Sequence, residues 1–215
     1  MELAKARIRR VWAESERYTG VLLEVAREVA DLYQRPGQYI VVHRPEGRTF
    51  LALASAPGEH AALELLLGPP ALVELKPELD DEWAIEPPDG PGFPIEAARG
   101  RDSFILGVGT GVAPLRALIE CMRRHRKLYQ GITLYAGASR TEDHAYRAWD
   151  ALWAADGIVV RRVVSKPFVQ DVLRADQPAL ERAEAFVCGH REMVTEVTDT
   201  LEQLGLTKDR VHLNF

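Results

Sequence analysis

The sequence predicts two domains of different class: an antiparallel β domain over residues 1–98 and an α/β domain over residues 99–215. Three observations carry that prediction. Short aliphatic and β-branched runs punctuated by Pro-Gly turns fill the first hundred residues, the spacing of an antiparallel barrel or sandwich. From Arg99 onward, apolar runs alternate with helical stretches, the rhythm of a parallel sheet covered by helices. Between the two, Pro87 to Pro94 is rich in proline and glycine, which sets the boundary at 98/99. A chain of 215 residues can bury two cores of this kind.

In the β domain, Ala6 to Val11 and Gly20 to Val25 are predicted strands around the polar turn Glu14 to Arg17. The turn Arg35 to Gln38 leads into Tyr39-Ile40-Val41-Val42, a strong β-forming run. Turns at Pro45-Glu46-Gly47 and Pro57-Gly58 precede strands at Thr49 to Ala54 and Ala62 to Leu67. Leu72 to Leu79 is expected as a short helix limited by Pro77, and Glu82 to Glu86 as the last strand. In the α/β domain, strands are expected at 103–107, 131–136, 158–164, 184–188 and 210–213. Helices are expected at 113–127, 143–154, 169–174 and 190–204.

Composition narrows the function. The net charge of −5 argues against a general nucleic-acid binder, because phosphate contacts need a basic surface. No stretch reaches membrane-spanning length, and Met1-Glu2-Leu3 does not begin a secretory signal, so the expected compartment is the cytoplasm. Cys121 and Cys188 cannot supply four thiolates for an iron–sulfur cluster or a Cys-x-x-Cys zinc half-site, and no metal site is expected. Scattered histidines and the lack of a G-x-S-x-G elbow leave little support for a hydrolase.

The chemistry concentrates in Phe104 to Met122. An apolar strand runs into Gly107, Gly109 and Gly111, and Leu115, Leu118, Ile119 and Met122 then follow at helical spacing. Strand, glycine turn, helix is the arrangement in which backbone amides converge on a phosphate. Pro114 suits the first turn, which carries no acidic residue, while Arg123 to Lys127 crowd the far end. The alternative is a tight turn whose glycines serve packing alone. A G-x-G-x-x-G fingerprint would need glycine where Val112 stands, and the Gly-Lys-Ser/Thr of a P-loop is absent.

GVGTGVAP (residues 107–114) closely resembles the nicotinamide-nucleotide loop of the ferredoxin–NADP reductase superfamily. Pro36-Gly37-Gln38-Tyr39, Gly90-Pro91-Gly92-Phe93, Tyr135 to Arg140 and Cys188-Gly189 with Met193 are similar to further superfamily segments, in the same order. The resemblance implies an N-terminal antiparallel β-barrel that binds FAD and a C-terminal five-stranded α/β domain that binds NADP(H) or NAD(H). Gly107, Gly109, Thr110, Gly111 and Pro114 would hold the diphosphate, with the Thr110 hydroxyl serving either as a donor or as a helix cap. Arg140 would meet the adenosine portion, and Ser165 and Lys166 a 2′-phosphate. Cys188, with Gly189 after it, would lie against the reactive nicotinamide carbon, and Phe215 would cover the flavin ring.

The flavin strand departs from the superfamily's R-x-Y/F-S-L/I-A-S. Arg48-Thr49-Phe50-Leu51-Ala52-Leu53-Ala54-Ser55 keeps only the closing Leu53-Ala54-Ser55 when aligned on Ser55. Arg48 and Phe50 recover their roles only by a one-residue slip, which reverses facing unless a bulge restores it. The following Gly68-Pro69-Pro70-Ala71 lacks two amide donors that a diphosphate loop would use. The chain looks closest to a divergent branch with an F-L-A-L-A-S strand. The expected activity is hydride transfer from NAD(P)H to FAD and electron delivery to an external acceptor, a separate redox protein or a small molecule. The alternative is a flavin-free nucleotide-binding accessory or sensor of the same fold.

Overall fold

The computed structural model describes residues 3–45, 47–58 and 61–214. Six strands form one antiparallel sheet: β1 (Ala4–Ala13), β2 (Thr19–Val25), β3 (Tyr39–Arg44), β4 (Gly47–Ala52), β5 (Ala62–Leu67) and β6 (Glu82–Asp89). Their order is β4-β3-β6-β1-β2-β5. A bridge between Leu53 and Leu65, with the Ala54 amide donating to the Glu64 carbonyl at 2.7 Å, joins the two edge strands and curls the sheet into a barrel. Ile8, Val21, Leu23, Ile40, Leu63 and Trp83 fill its core.

Two helices accompany the barrel, α1 (Arg27–Ala30) and α2 (Pro69–Leu75). The second corrects the expected span of 72–79. Pro69 and Pro70 stand in the first turn, where a missing N–H costs nothing and φ is already helical, and Lys76 at φ 42° ends the helix before Pro77.

Five parallel strands follow: β7 (Asp102–Val108), β8 (Ile132–Ala138), β9 (Ile158–Val164), β10 (Ala183–Cys188) and β11 (Val211–Leu213), in the order β11-β10-β7-β8-β9. Helices α3 (Val112–Arg124) and α4 (Asp150–Ala155) pack on one face, α5 (Val169–Asp176) and α6 (Arg191–Gln203) on the other. The expected helix at 143–154 is broken into turns at Thr141–Asp143 and Arg147–Trp149 before α4. Tyr146, between them, takes φ 63°, and its ring lies under the Arg116 guanidinium, 5.0 Å away, in a tertiary setting that overrides helical propensity.

The chain leaves β7 toward β8 and returns to β10 on the opposite side of β7. The loops after β7 and β10 therefore diverge, which opens a crevice at the carboxyl end of the sheet. A shared core fixes the barrel over that crevice: Tyr18, Ala54, Leu66 and Phe93 pack with Ile105, Leu115, Leu118 and Phe186. The Phe93 amide donates to the Pro36 carbonyl at 2.7 Å, and its ring meets Phe186 edge-on at 5.6 Å. Arg116 of α3, 6% exposed, reaches Glu64 of β5 at 2.7 Å and donates to the Ala54 carbonyl at 3.0 Å. Burial is the largest influence and opposes its charge, but Glu64, Tyr146 and Glu120 together more than offset it, so the guanidinium stays ionised. Among the described residues no helix is long and apolar enough to cross a membrane.

Candidate nucleotide cleft between the two sheets

A cleft of about 810 Å³ lies between the barrel and the crevice. That is within the usual range for a small-molecule or cofactor site. Its α/β wall is the glycine turn after β7, the ends of β8 and β9, and the Cys188-Gly189-His190 turn after β10. Its barrel wall is Arg17, Tyr18, the outer part of β4, Leu66 and Gly68 to Ala71.

The glycine turn is a single turn of tight helix, Gly109–Gly111, running directly into α3. Amides at a helix start have no intrahelical acceptor and form its positive end. The glycines divide the work. A Cβ on Gly111 would sit 2.5 Å from the Cys188 carbonyl oxygen, so its bareness lets the two turns pack together. Gly109, at φ 61°, would direct a Cβ into the cleft, where the nearest neighbour is the Tyr18 hydroxyl at 3.6 Å. Gly107 and Pro114 are buried in the packing behind the turn. Thr110 is exposed at the cleft and makes no helix-capping bond, which leaves its hydroxyl available as a donor.

At the end of β10, Cys188 lines the cleft with only 6% of its surface exposed. Burial pushes its thiol up to about 12, against a smaller opposing effect from Asn214, so it stays a neutral thiol and an apolar contact. Gly189 sits beside it, and His190 caps α6 by accepting the Met193 amide at 3.3 Å.

Other expected site residues are divided between the cleft and its surroundings. Ser165 lines the cleft, its hydroxyl donating to the Ser139 carbonyl at 3.1 Å. Lys166 does not line it. Arg140 is drawn to Asp143 (2.8 Å) and Glu16 (3.3 Å), away from the cleft. Phe215 lies outside the described residues. Leu53, Ala54 and Ser55 are buried in the barrel wall. The Ser55 carbonyl accepts from the Tyr33 hydroxyl at 2.6 Å, and its Oγ accepts the Glu64 amide at 3.1 Å.

Strand β4 pairs with β3 without a register break, and its side chains alternate. Leu51 enters the barrel core. Phe50, 59% exposed and 5.6 Å from the Tyr39 ring, faces the cleft. The outward register thus belongs to Arg48 and Phe50, and no bulge is needed. Arg48 itself lies beside Glu86 at 3.4 Å and does not line the cleft.

These features set what the cleft can hold. The flat aromatic face of Phe50 and the small Ala52 suit a planar ring. The start of α2 offers fewer amides, since Pro69 and Pro70 carry none, and a flavin diphosphate there would depend on Gly68, Ala71 and side chains. On the α/β side no acidic side chain blocks the first turn of α3. The place of Arg17 and Tyr18 in the cleft wall was hidden in sequence, where Arg17 ends an ordinary polar turn and Tyr18 carries no signal of its own. Gln170, hydrogen-bonded to Glu196 at the rim, was equally hidden.

Residues 105–199 match the family described as the oxidoreductase NAD-binding domain. The inducible nitric oxide synthase of Bos taurus is 31% identical over 139 residues, 54% of this chain and 12% of that one. The reductase component of propane 2-monooxygenase from Rhodococcus jostii (strain RHA1) is 27% identical over 203 residues, 82% of this chain and 54% of that one. The chain thus spans about half or less of the length of these relatives. In structure, a ferredoxin NADP+ reductase from Neisseria gonorrhoeae, crystallised with FAD and NADP, superposes with a TM-score of 0.82 at 17% identity, covering all of both chains.

Proposed function

Taking this chain as a member of the ferredoxin–NADP reductase-like superfamily, we propose that it is a flavin-dependent oxidoreductase drawing electrons from NAD(P)H and passing them to an external acceptor. One observation carries the reading. The glycine turn after β7, the Cys188 turn after β10 and the exposed Phe50 of β4 all open into the same cleft. A dinucleotide held on one wall and a planar ring held on the other would face each other there.

When bound, a nicotinamide nucleotide and a flavin would supply the hydride-transfer chemistry. The chain's residues bind, orient and exclude water. Amides of Gly109 to Gly111 receive the diphosphate at the positive end of α3, and the bare Cα of Gly109 permits close approach. Cys188, held as a neutral thiol, provides an unreactive apolar wall beside the nicotinamide. Phe50 and Ala52 seat the ring on the barrel side. Arg116, bonded to Glu64 and the Ala54 carbonyl, keeps the start of α3 at a fixed distance from the barrel wall. The partial likeness to the reductase component of propane 2-monooxygenase supports a separate protein acceptor.

A second reading is a flavin-free nucleotide-binding accessory protein. It is favoured by the two prolines at the start of α2 and by Arg48 lying at Glu86 instead of in the cleft. The absorption spectrum of protein purified without added cofactor separates the two. The first reading expects flavin bands that bleach on addition of NADH or NADPH. Protein that is colourless, and stays so after refolding with FAD, overturns it.

A further inference from the structure

We propose that Arg17 and Tyr18, on the turn joining β1 to β2, close over the nucleotide's diphosphate from the barrel side, so that both halves of the molecule grip it. This rests on the reading that the cleft takes a nicotinamide dinucleotide. The argument starts from charge. A diphosphate is anionic, and the start of α3 offers only the partial positive charge of its amides. Among the described residues that line the cleft, Arg17 is the single lysine or arginine, whereas Glu192 and Glu196 contribute carboxylates. The cations expected from sequence are elsewhere: Arg140 is held by Asp143 and Glu16, and Lys166 does not line the cleft. The full countercharge therefore has to come across from the barrel.

Geometry puts it opposite the glycine turn. The Tyr18 hydroxyl lies 3.6 Å from the position of a Cβ on Gly109, a glycine that lines the cleft. The Tyr18 ring rests beside Gly68, which in turn faces the Thr110 methyl. Arg17 and Tyr18 are consecutive residues that both line the cleft, so a guanidinium and a hydroxyl stand on the same stretch of its barrel wall. The turn is also built before any ligand arrives. Ser15 Oγ accepts the amides of Arg17 (3.2 Å) and Tyr18 (3.1 Å), and the Glu14 amide donates to the Tyr18 carbonyl at 2.9 Å. Glu14 then ties the turn to the other half by accepting the Tyr146 amide at 2.8 Å. A donor pair held in this way loses little freedom on binding.

Calorimetric titration of the full chain with ADP-ribose and with AMP tests this, because only the first carries a diphosphate. Arg17→Ala is expected to weaken ADP-ribose at least tenfold and AMP less than twofold. Arg17→Lys should recover part of the loss, and Tyr18→Phe should cost about threefold. Arg17 is exposed, so the variant should melt with the parent, and melting curves check this. Equal weakening of both probes, or of neither, overturns the proposal. So does a variant that loses bound flavin while keeping its ADP-ribose affinity, since Arg17 would then serve the other diphosphate. Unaltered protein that binds neither probe overturns the nucleotide reading itself, and the clamp with it.

Discussion

Replacing Arg116 with methionine removes a buried cation that ties α3 to the barrel. Its guanidinium is 2.7 Å from the Glu64 carboxylate, donates to the Ala54 carbonyl at 3.0 Å, and lies 5.0 Å and 4.5 Å from the centres of the Tyr146 and Trp149 rings. The Arg116 side chain is 6% exposed and that of Glu64 15%, so water cannot readily take over. Breaking a buried pair from one side costs about 3–5 kcal/mol, because the remaining charge stays desolvated. The stranded carbonyl would add about 1–3 kcal/mol, in part the same penalty counted twice, so about 3–5 kcal/mol is expected in total. For a chain of this size each kcal/mol lowers the melting temperature by about 2–4 °C, which predicts a drop of about 6–20 °C. Replacing both partners, Arg116→Met with Glu64→Leu, should recover most of it, since an apolar pair needs no countercharge. Thermal melts of the two variants decide the matter. A single-variant drop below about 3 °C, or a double variant no better than the single, would mean that the ion pair does not hold the halves together.

Two further outcomes follow from single positions. Gly109→Val places a branched side chain at φ 61°, facing the cleft, and should weaken NAD(P)H binding more than tenfold, about 1.4 kcal/mol or more; unchanged affinity in a folded variant, by fluorescence titration, would mean that the diphosphate does not sit there. His144 is buried and Nε2 has no hydrogen-bond partner, and burial, aided by Arg162 and Arg147, lowers its pKa from 6.5 to about 4. Between those values the unfolded chain binds the proton and the folded chain does not, so stability rises with pH across that window, by about 2–3 kcal/mol. In His144→Gln that slope should flatten when unfolding by urea is compared at pH 4.5 and 7; an unchanged slope would assign the pH dependence to other groups.

Much of the architecture could be read in the sequence because its signals are local. The strand at Ala62 to Leu67 and the one at 158–164 follow from β-branched and aliphatic runs ending at turns. The glycine turn follows from three glycines set between an apolar run and a helical repeat. What escaped was set by partners distant in sequence. At the break, Tyr146 meets Arg116 and Glu14, both far from it in sequence. The early start of α2 reflects prolines acting as helix initiators, whereas sequence spacing drew attention to Pro77 as a terminator. Arg17 read as the end of a polar turn, and nothing nearby in sequence reveals that Tyr18 after it faces Gly109. Arg48 and Arg140 carried the right chemistry for a phosphate, but Glu86 and Asp143 stand closer to them.

The packing of Tyr18, Ala54, Leu66 and Phe93 into the same core as α3 and β10 has a practical consequence for anyone building chimeras. A splice at the proline-rich connector would exchange two halves whose mating surfaces were shaped for each other. Phe93 would lose the socket made by Phe186, and a foreign barrel without a glutamate at the Glu64 position would strand Arg116. The transplantable unit is therefore the barrel together with the faces of α3 and β10 that it touches, and grafts drawn along that seam should outlast those cut at the link.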